Sequence, residues 1–156
     1  MKKTILAIAA LALGAVTAIN AAKPEEWVGK ELPELAVKYL DAKPDIKGKA
    51  AIVEFWATWC PPCRKSIPHL NEINKKFKDK GLVIIGVSNE KEDVVTKFRA
   101  TTPMEYTVAL DEKRELGKTF GITGIPHAFI VGKDGKIAWQ GHPMQLTDAD
   151  IEKALK

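Results

Sequence analysis

The sequence predicts an α/β domain in which helices flank a mixed sheet, and three observations carry that prediction. Short, almost unbroken apolar runs alternate with stretches of helical periodicity. Late in the chain, Gly132-Lys133-Asp134-Gly135 separates two apolar stretches and reads as a hairpin turn. Beyond it, Thr147-Asp148-Ala149-Asp150 reads as a capping box that opens a last helix.

Residues 23–49 are punctuated by Pro24, Gly29, Pro33, Pro44 and Gly48, which fits a lead-in with one short strand near Leu35–Leu40. Ala50–Trp56 (AAIVEFW) is apolar apart from one acid, the composition of a central strand buried on both faces. Cys63, Ile67, Leu70, Ile73 and Phe77 then recur at helical spacing, and Gly81 ends that helix. Leu82–Val87 is a second buried strand. Asp93–Arg99 is expected to be helical, Tyr106–Leu110 a short strand and Glu112–Phe120 a further helix. Ala128–Val131 and Lys136–Trp139 are the arms of the hairpin, and the final helix runs to about Leu155.

Residues 1–22 stand apart from this pattern. Lys2 and Lys3 give a basic start, no charge follows until Lys23, and small residues fill Ala18–Ala22. That is the layout of a secretory signal peptide, with cleavage expected after Ala21 or Ala22. An uncleaved membrane anchor is the alternative, since 19 uncharged residues barely span a bilayer. The remaining 23–156 form one domain, in an exported protein of periplasmic or other extracytoplasmic location.

The length suits a single core. Two cysteines cannot build a disulfide-dense scaffold, nor complete a structural zinc site alone. The net charge is +4, but without Lys2 and Lys3 the balance is 22 cationic against 20 anionic side chains, or +2. No basic run or basic-aromatic stripe argues for nucleic acid.

The chemistry sits in Trp59-Cys60-Pro61-Pro62-Cys63. Two residues between cysteines, where a strand gives way to a helix, let the sulfurs form a reversible disulfide. Cys60 at the helix N-terminus has its thiolate favoured by the partial positive charge there. Cys63, one turn further in, is placed to resolve the mixed disulfide that Cys60 forms. The alternatives are an inert disulfide and half of a metal site. A loop this short removes little entropy from the unfolded chain, so it is a poor staple. Extra metal ligands would have to come from His69, His127 or His142.

VEFWATWCPPCRKSIP, followed far downstream by GITGIPHAFIVGKDGKIAW, resembles the thioredoxin superfamily, and more narrowly its exported TlpA/ResA-like branch of thiol-disulfide oxidoreductases. The likeness covers nearly all of residues 28–156 and implies a thioredoxin fold. By position it makes Cys60 the exposed nucleophile and Cys63 the buried resolving cysteine. Pro68 matches a proline within the active-site helix. Pro126, preceded by Ile125, matches the cis-proline that aligns extended peptide substrates. Glu54 falls where thioredoxins bury an acid beneath the cysteines, which implies a proton relay for Cys63. A buried carboxylate has a raised pKa suited to that role.

Cys63 and Pro126 are 63 residues apart, roughly twenty more than a minimal thioredoxin needs for its crossover. The excess around Ser88–Leu110 fits the insertion of the TlpA/ResA-like branch, and also that of peroxiredoxins. Peroxiredoxins resemble P-x-x-x-T-x-x-C, whereas Ala57 stands three residues before Cys60. Peroxidase activity is therefore not expected. His127 departs from the threonine that often follows the cis-proline. Protonated beside the cysteines, it would favour the Cys60 thiolate; otherwise it is a surface or backbone-bonded histidine. Trp59 offers an apolar docking surface next to Cys60.

These readings converge on thiol–disulfide exchange with protein disulfides or dithiols, with no cofactor and no resident metal. The resemblance implies a reductase recharged by a membrane electron-transfer partner, serving cytochrome c maturation or copper-site assembly. The same residues serve an oxidase or isomerase, and Cys60, Cys63 and His127 together suggest a Cu(I) metallochaperone as a rival.

Overall fold

Ala50–Trp56 forms the strand around which the rest is arranged (β2), and every one of its residues is buried. The computed structural model describes residues 26–156; the signal-peptide expectation for 1–22 lies outside them. β2 pairs in parallel with Leu82–Ser88 (β3) and antiparallel with His127–Val131 (β5). A strand hydrogen-bonded along both edges and covered on both faces has no polar side, which explains its composition.

The sheet is mixed and six-stranded, in the order β1-β4-β3-β2-β5-β6. Its outer members are Lys38–Tyr39 (β1), Thr107–Leu110 (β4) and Ile137–Gly141 (β6). The expected insertion is the helix Glu92–Arg99 (α2) followed by β4, which adds in parallel to β3. The molecule has the thioredoxin fold.

Side chains alternate across the sheet. Ile52, Trp56, Ala128 and Ile130 face one core with Ile67, Leu70 and Phe77 of Pro61–Phe77 (α1), Val95 of α2, and Ile151 of Asp148–Ala154 (α4). Val53, Phe55, Phe129 and Val131 face the other, closed by Glu115–Thr119 (α3) and the lead-in. Trp27 anchors that lead-in: its ring packs 4.9 Å from Phe120, and its indole N–H donates to the Phe120 carbonyl.

α1 continues through Pro68 and ends in a 3-10 turn over Lys78–Lys80. Gly81 then takes a positive φ of 96°, the left-handed conformation that suits glycine at a helix end. The helix expected over Glu112–Phe120 is shorter than the sequence implied. Arg114 adopts a left-handed φ of 58°, and the Asp111 carboxylate accepts the Gly117 N–H at 2.8 Å, so helical geometry starts only at Glu115.

The capping box is present: the Thr147 side chain accepts from the Asp150 N–H, and the Asp150 carboxylate accepts from the Thr147 N–H. Thr147→Ala is expected to lower unfolding stability by about 1 kcal/mol, as read by urea denaturation. An unchanged midpoint would mean that α4 is held by its apolar face alone.

Candidate active site

β2 runs directly into the turn that carries Cys60, so the most constrained strand positions the reacting sulfur. Cys60 is the N-cap of α1, with extended backbone, and its Sγ accepts the Cys63 N–H at 3.3 Å. Pro61 and Pro62 occupy the first helical turn, where a missing N–H breaks no bond. Cys60 and Cys63 are joined in a disulfide across a Cα separation of 5.2 Å. No acidic residue lies in the first turn of α1, so nothing there offsets the positive end of the helix.

The structure corrects one expectation. Cys60 is not openly exposed: it retains 3% of its surface against 0% for Cys63. The Ile125 carbonyl oxygen lies 3.8 Å from its sulfur and covers it. A disulfide sulfur carries no proton, so this is a contact; in the reduced thiol the carbonyl is a ready acceptor. Access comes from a groove of about 480 Å³ lined by Trp59, Cys60, Pro61, Pro62 and Ile125, among others. Trp59 stands out beside it at 66% exposure.

Ile125–Pro126 is a cis peptide, and it leads directly into β5. Antiparallel pairing of β5 with β2 sets this loop against the Cys60 turn. Trp59, Cys60, Ile125 and Pro126 are thus neighbours, although 65 residues separate Cys60 from Ile125.

His127 does not join them. It pairs with Phe55 across β2, and its ring stacks 4.9 Å from Phe129, so it projects to the face opposite Cys63. It lines a second groove, beyond the cis-proline loop, to which neither cysteine contributes. Burial lowers its pKa, which leaves the ring neutral near pH 7. Strand parity thus turns the imidazole to the side of the sheet away from Cys63. The expected proximity came from the resemblance, which places His127 directly after the cis-proline.

Glu54 sits on the cysteine face of β2 and is completely buried. Its Oε1 lies 3.0 Å from the Ser66 hydroxyl, which is also 2.7 Å from the Cys63 carbonyl oxygen. Burial pushes the Glu54 pKa up to about 8, with the Ser66 hydrogen bond pulling weakly the other way. Ser66 has one proton for two acceptors. With Glu54 protonated, the acid donates to Ser66 Oγ and Ser66 donates to the Cys63 carbonyl. With Glu54 ionised, Ser66 turns to the carboxylate. The protonation state of the acid is thereby coupled to the helix turn that carries Cys63.

Two contributors escaped the sequence reading. Ser66 lies three residues after Cys63 on the buried face of α1, and that spacing was the available signal. Glu90 accepts the Thr58 N–H at 2.7 Å, the Thr58 hydroxyl at 2.6 Å and the Ser88 hydroxyl at 3.1 Å, and so pins the turn before Cys60. No local pattern marks it, because the contact spans 32 residues. Among the described residues, no group of three or more His, Cys, Asp and Glu is placed to hold a metal ion.

Residues 28–140 match the AhpC/TSA family. The chain is 37% identical over 134 residues to the thiol-disulfide oxidoreductase ResA of Bacillus thuringiensis subsp. konkukian, covering 83% of this chain and 77% of that one. It is 28% identical to ResA of Bacillus subtilis, covering 85% and 77%. A crystal structure from Chlorobium tepidum described as a thiol:disulfide interchange protein DsbE superposes with a TM-score of 0.77 at 30% identity, covering 83% of this chain and 98% of that one. StoA from Bacillus subtilis gives 0.59 at 27% identity, covering 70% and 84%.

A carboxyl group whose folded pKa is raised binds more protons in the folded than in the unfolded chain. Glu54 therefore favours folding below pH about 4.5, and that contribution is lost as pH rises to about 8. Glu54→Gln is expected to gain stability relative to the parent across this window, on the order of several kcal/mol at its upper end. Parallel denaturation curves for the two proteins from pH 5 to 8 would contradict a buried neutral acid.

Proposed function

The chain belongs to the AhpC/TSA family and is a thiol-disulfide oxidoreductase, and from that premise we propose that it acts outside the cytoplasm as a reductase of disulfides in protein substrates. One arrangement carries the exchange chemistry: a closed Cys60–Cys63 disulfide at a helix N-terminus, against a groove, with a buried acid beneath it. The secretory pattern of residues 1–22 supports the location.

In the proposed cycle the Cys60 thiolate of the reduced protein attacks a substrate disulfide. A Cys60–substrate bond forms, the substrate bond breaks, and one substrate sulfur leaves as a thiolate that takes a proton from water. In its ionised form Glu54 then takes the Cys63 proton, and the Cys63 thiolate attacks the Cys60 sulfur. The mixed disulfide breaks, the second substrate thiolate leaves, and the Cys60–Cys63 disulfide closes. Two electrons have moved to the substrate. A donor must return them, for which we propose a membrane electron-transfer partner.

Glu54 suits its step because an acid titrating at about 8 lies near an ordinary thiol at about 8.5, so the proton passes with little cost either way. The Ile125–Pro126 loop and Trp59 are proposed to hold an extended substrate segment across Cys60. Ile125 offers its carbonyl, and Trp59 an exposed apolar face.

Cys63→Ser is expected to accumulate covalent adducts through Cys60 that dithiothreitol releases; a Cys63→Ser, Cys60→Ser pair should accumulate none. Glu54→Gln is expected to slow resolution of a preformed mixed disulfide by about 10-fold or more at pH 7. Absence of dithiothreitol-sensitive adducts from the single variant would sink the exchange cycle. Direction is read from the reduction potential of the pair. A value below about −200 mV supports the reductase, and one near −120 mV assigns the protein to substrate oxidation instead.

A further inference from the structure

The exchange cycle uses only one oxygen of Glu54. Oε1 meets Ser66, while Oε2 is buried without a partner. Trp56 Nε1 and Tyr106 Oη are buried and unpartnered as well; a fourth such atom, His69 Nε2, is carried by α1. The residues that carry the first three meet around Gly86. Glu54 and Trp56 are two residues apart on β2, so both project toward α1. Gly86 lies opposite Glu54 in the parallel register. A Cβ at Gly86 would come within 3.1 Å of Trp56 Nε1 and 3.1 Å of Tyr106 Cε2. The indole N–H and the phenol ring therefore meet over the one residue of β3 that has no side chain, beside the carboxyl group.

An indole N–H only donates, a phenol hydroxyl donates and accepts, and a carboxyl oxygen accepts when ionised. These three groups do not bond to one another, yet they make a complementary set for one water molecule, which has two protons to give and two lone pairs to offer. The geometry points to a buried hydration site bounded by Trp56 Nε1, Tyr106 Oη and Glu54 Oε2, in which Tyr106 is a positioning residue for the proton that Glu54 takes and returns. The assignment of a role to that proton rests on the reading of Glu54 as acceptor for Cys63; the water site itself rests on the geometry alone.

The surroundings are otherwise poor in charge. α1 presents Ser66 and the disulfide-forming Cys63 toward Glu54, and β3 and β5 place Gly86 and Ala128 opposite it in register. Arg99 of α2 acts on Tyr106 and is itself paired with Asp41 at 3.2 Å. The phenol titrates well above its usual 10, through burial first and the Glu54 charge second, so it stays a neutral donor and acceptor. Tyr106 also lines a surface groove with Asp41, Asn74 and Arg99. This groove shares no residue with the one over the cysteines, so the Tyr106 side stays open to solvent while a substrate covers Cys60.

The test follows the Glu54 carboxyl carbon by ¹³C NMR and the Trp56 indole proton by its NOE to water. In the parent protein the indole proton should show a water NOE, and its absence would overturn the site however any variant folds. Tyr106→Phe keeps the ring over Gly86 and removes only the hydroxyl. It should abolish that NOE and raise the Glu54 titration midpoint by about half a pH unit or more, because the carboxylate loses a solvating partner. A midpoint that is unchanged or lowered would overturn the positioning role. Glu54→Gln separates this from the reading it builds on. If mixed-disulfide resolution is as fast in Glu54→Gln as in the parent, the relay fails, while the water NOE still decides the hydration site.

Discussion

β2 is held on all four sides, by β3 and β5 along its edges and by a helical layer and a second core above and below. That confinement is what the active site depends on. The strand cannot shift register without exposing one apolar set and burying the wrong one, so its end delivers Cys60 to a fixed place at the start of α1. It also takes Glu54 out of contact with bulk solvent. The same pairing that aims the nucleophile forces a carboxyl group into the interior, directly under the helix turn that carries Cys63.

Burial then converts an ordinary acid into one that is protonated through most of the neutral range. In stability terms this is a defect, because an apolar side chain of the same shape would suit the site better above pH 5. In chemical terms it matches the proton affinity of a thiol. Ser66 links the two by sharing one proton between Glu54 and the Cys63 carbonyl. Around the other sulfur the constraint is steric rather than electrostatic: the Ile125 carbonyl and Glu90, which grips Thr58 and Ser88, define the approach to Cys60.

Much of this was legible in the chain. The apolar run of β2 with its single acid, the helical stripe from Cys63 to Phe77 and the Gly132–Gly135 turn each announce an element because local pattern and tertiary environment agree there. α3 was overestimated because Arg114 takes a left-handed backbone, which is uncommon for a non-glycine residue and has no composition signature. His127 was misplaced for a different reason. Its neighbour Pro126 lies beside the cysteines, but one step along a strand reverses the face, and only the β2–β5 register shows which residue points where.

By itself, the sequence determined the fold class, the cysteine pair at a strand-to-helix junction, and the presence of an acid inside an apolar strand. These are local properties, carried by spacing and periodicity. Tertiary structure decided what those groups meet. It covered Cys60 with the Ile125 carbonyl, turned His127 away, and brought Glu90 to the turn before the nucleophile. It also gathered Trp56 and Tyr106 around Gly86 beside Glu54. Those contacts join residues about 30 to 70 positions apart or on different strands. Their existence depends on register and crossover geometry, which no short stretch of chain encodes.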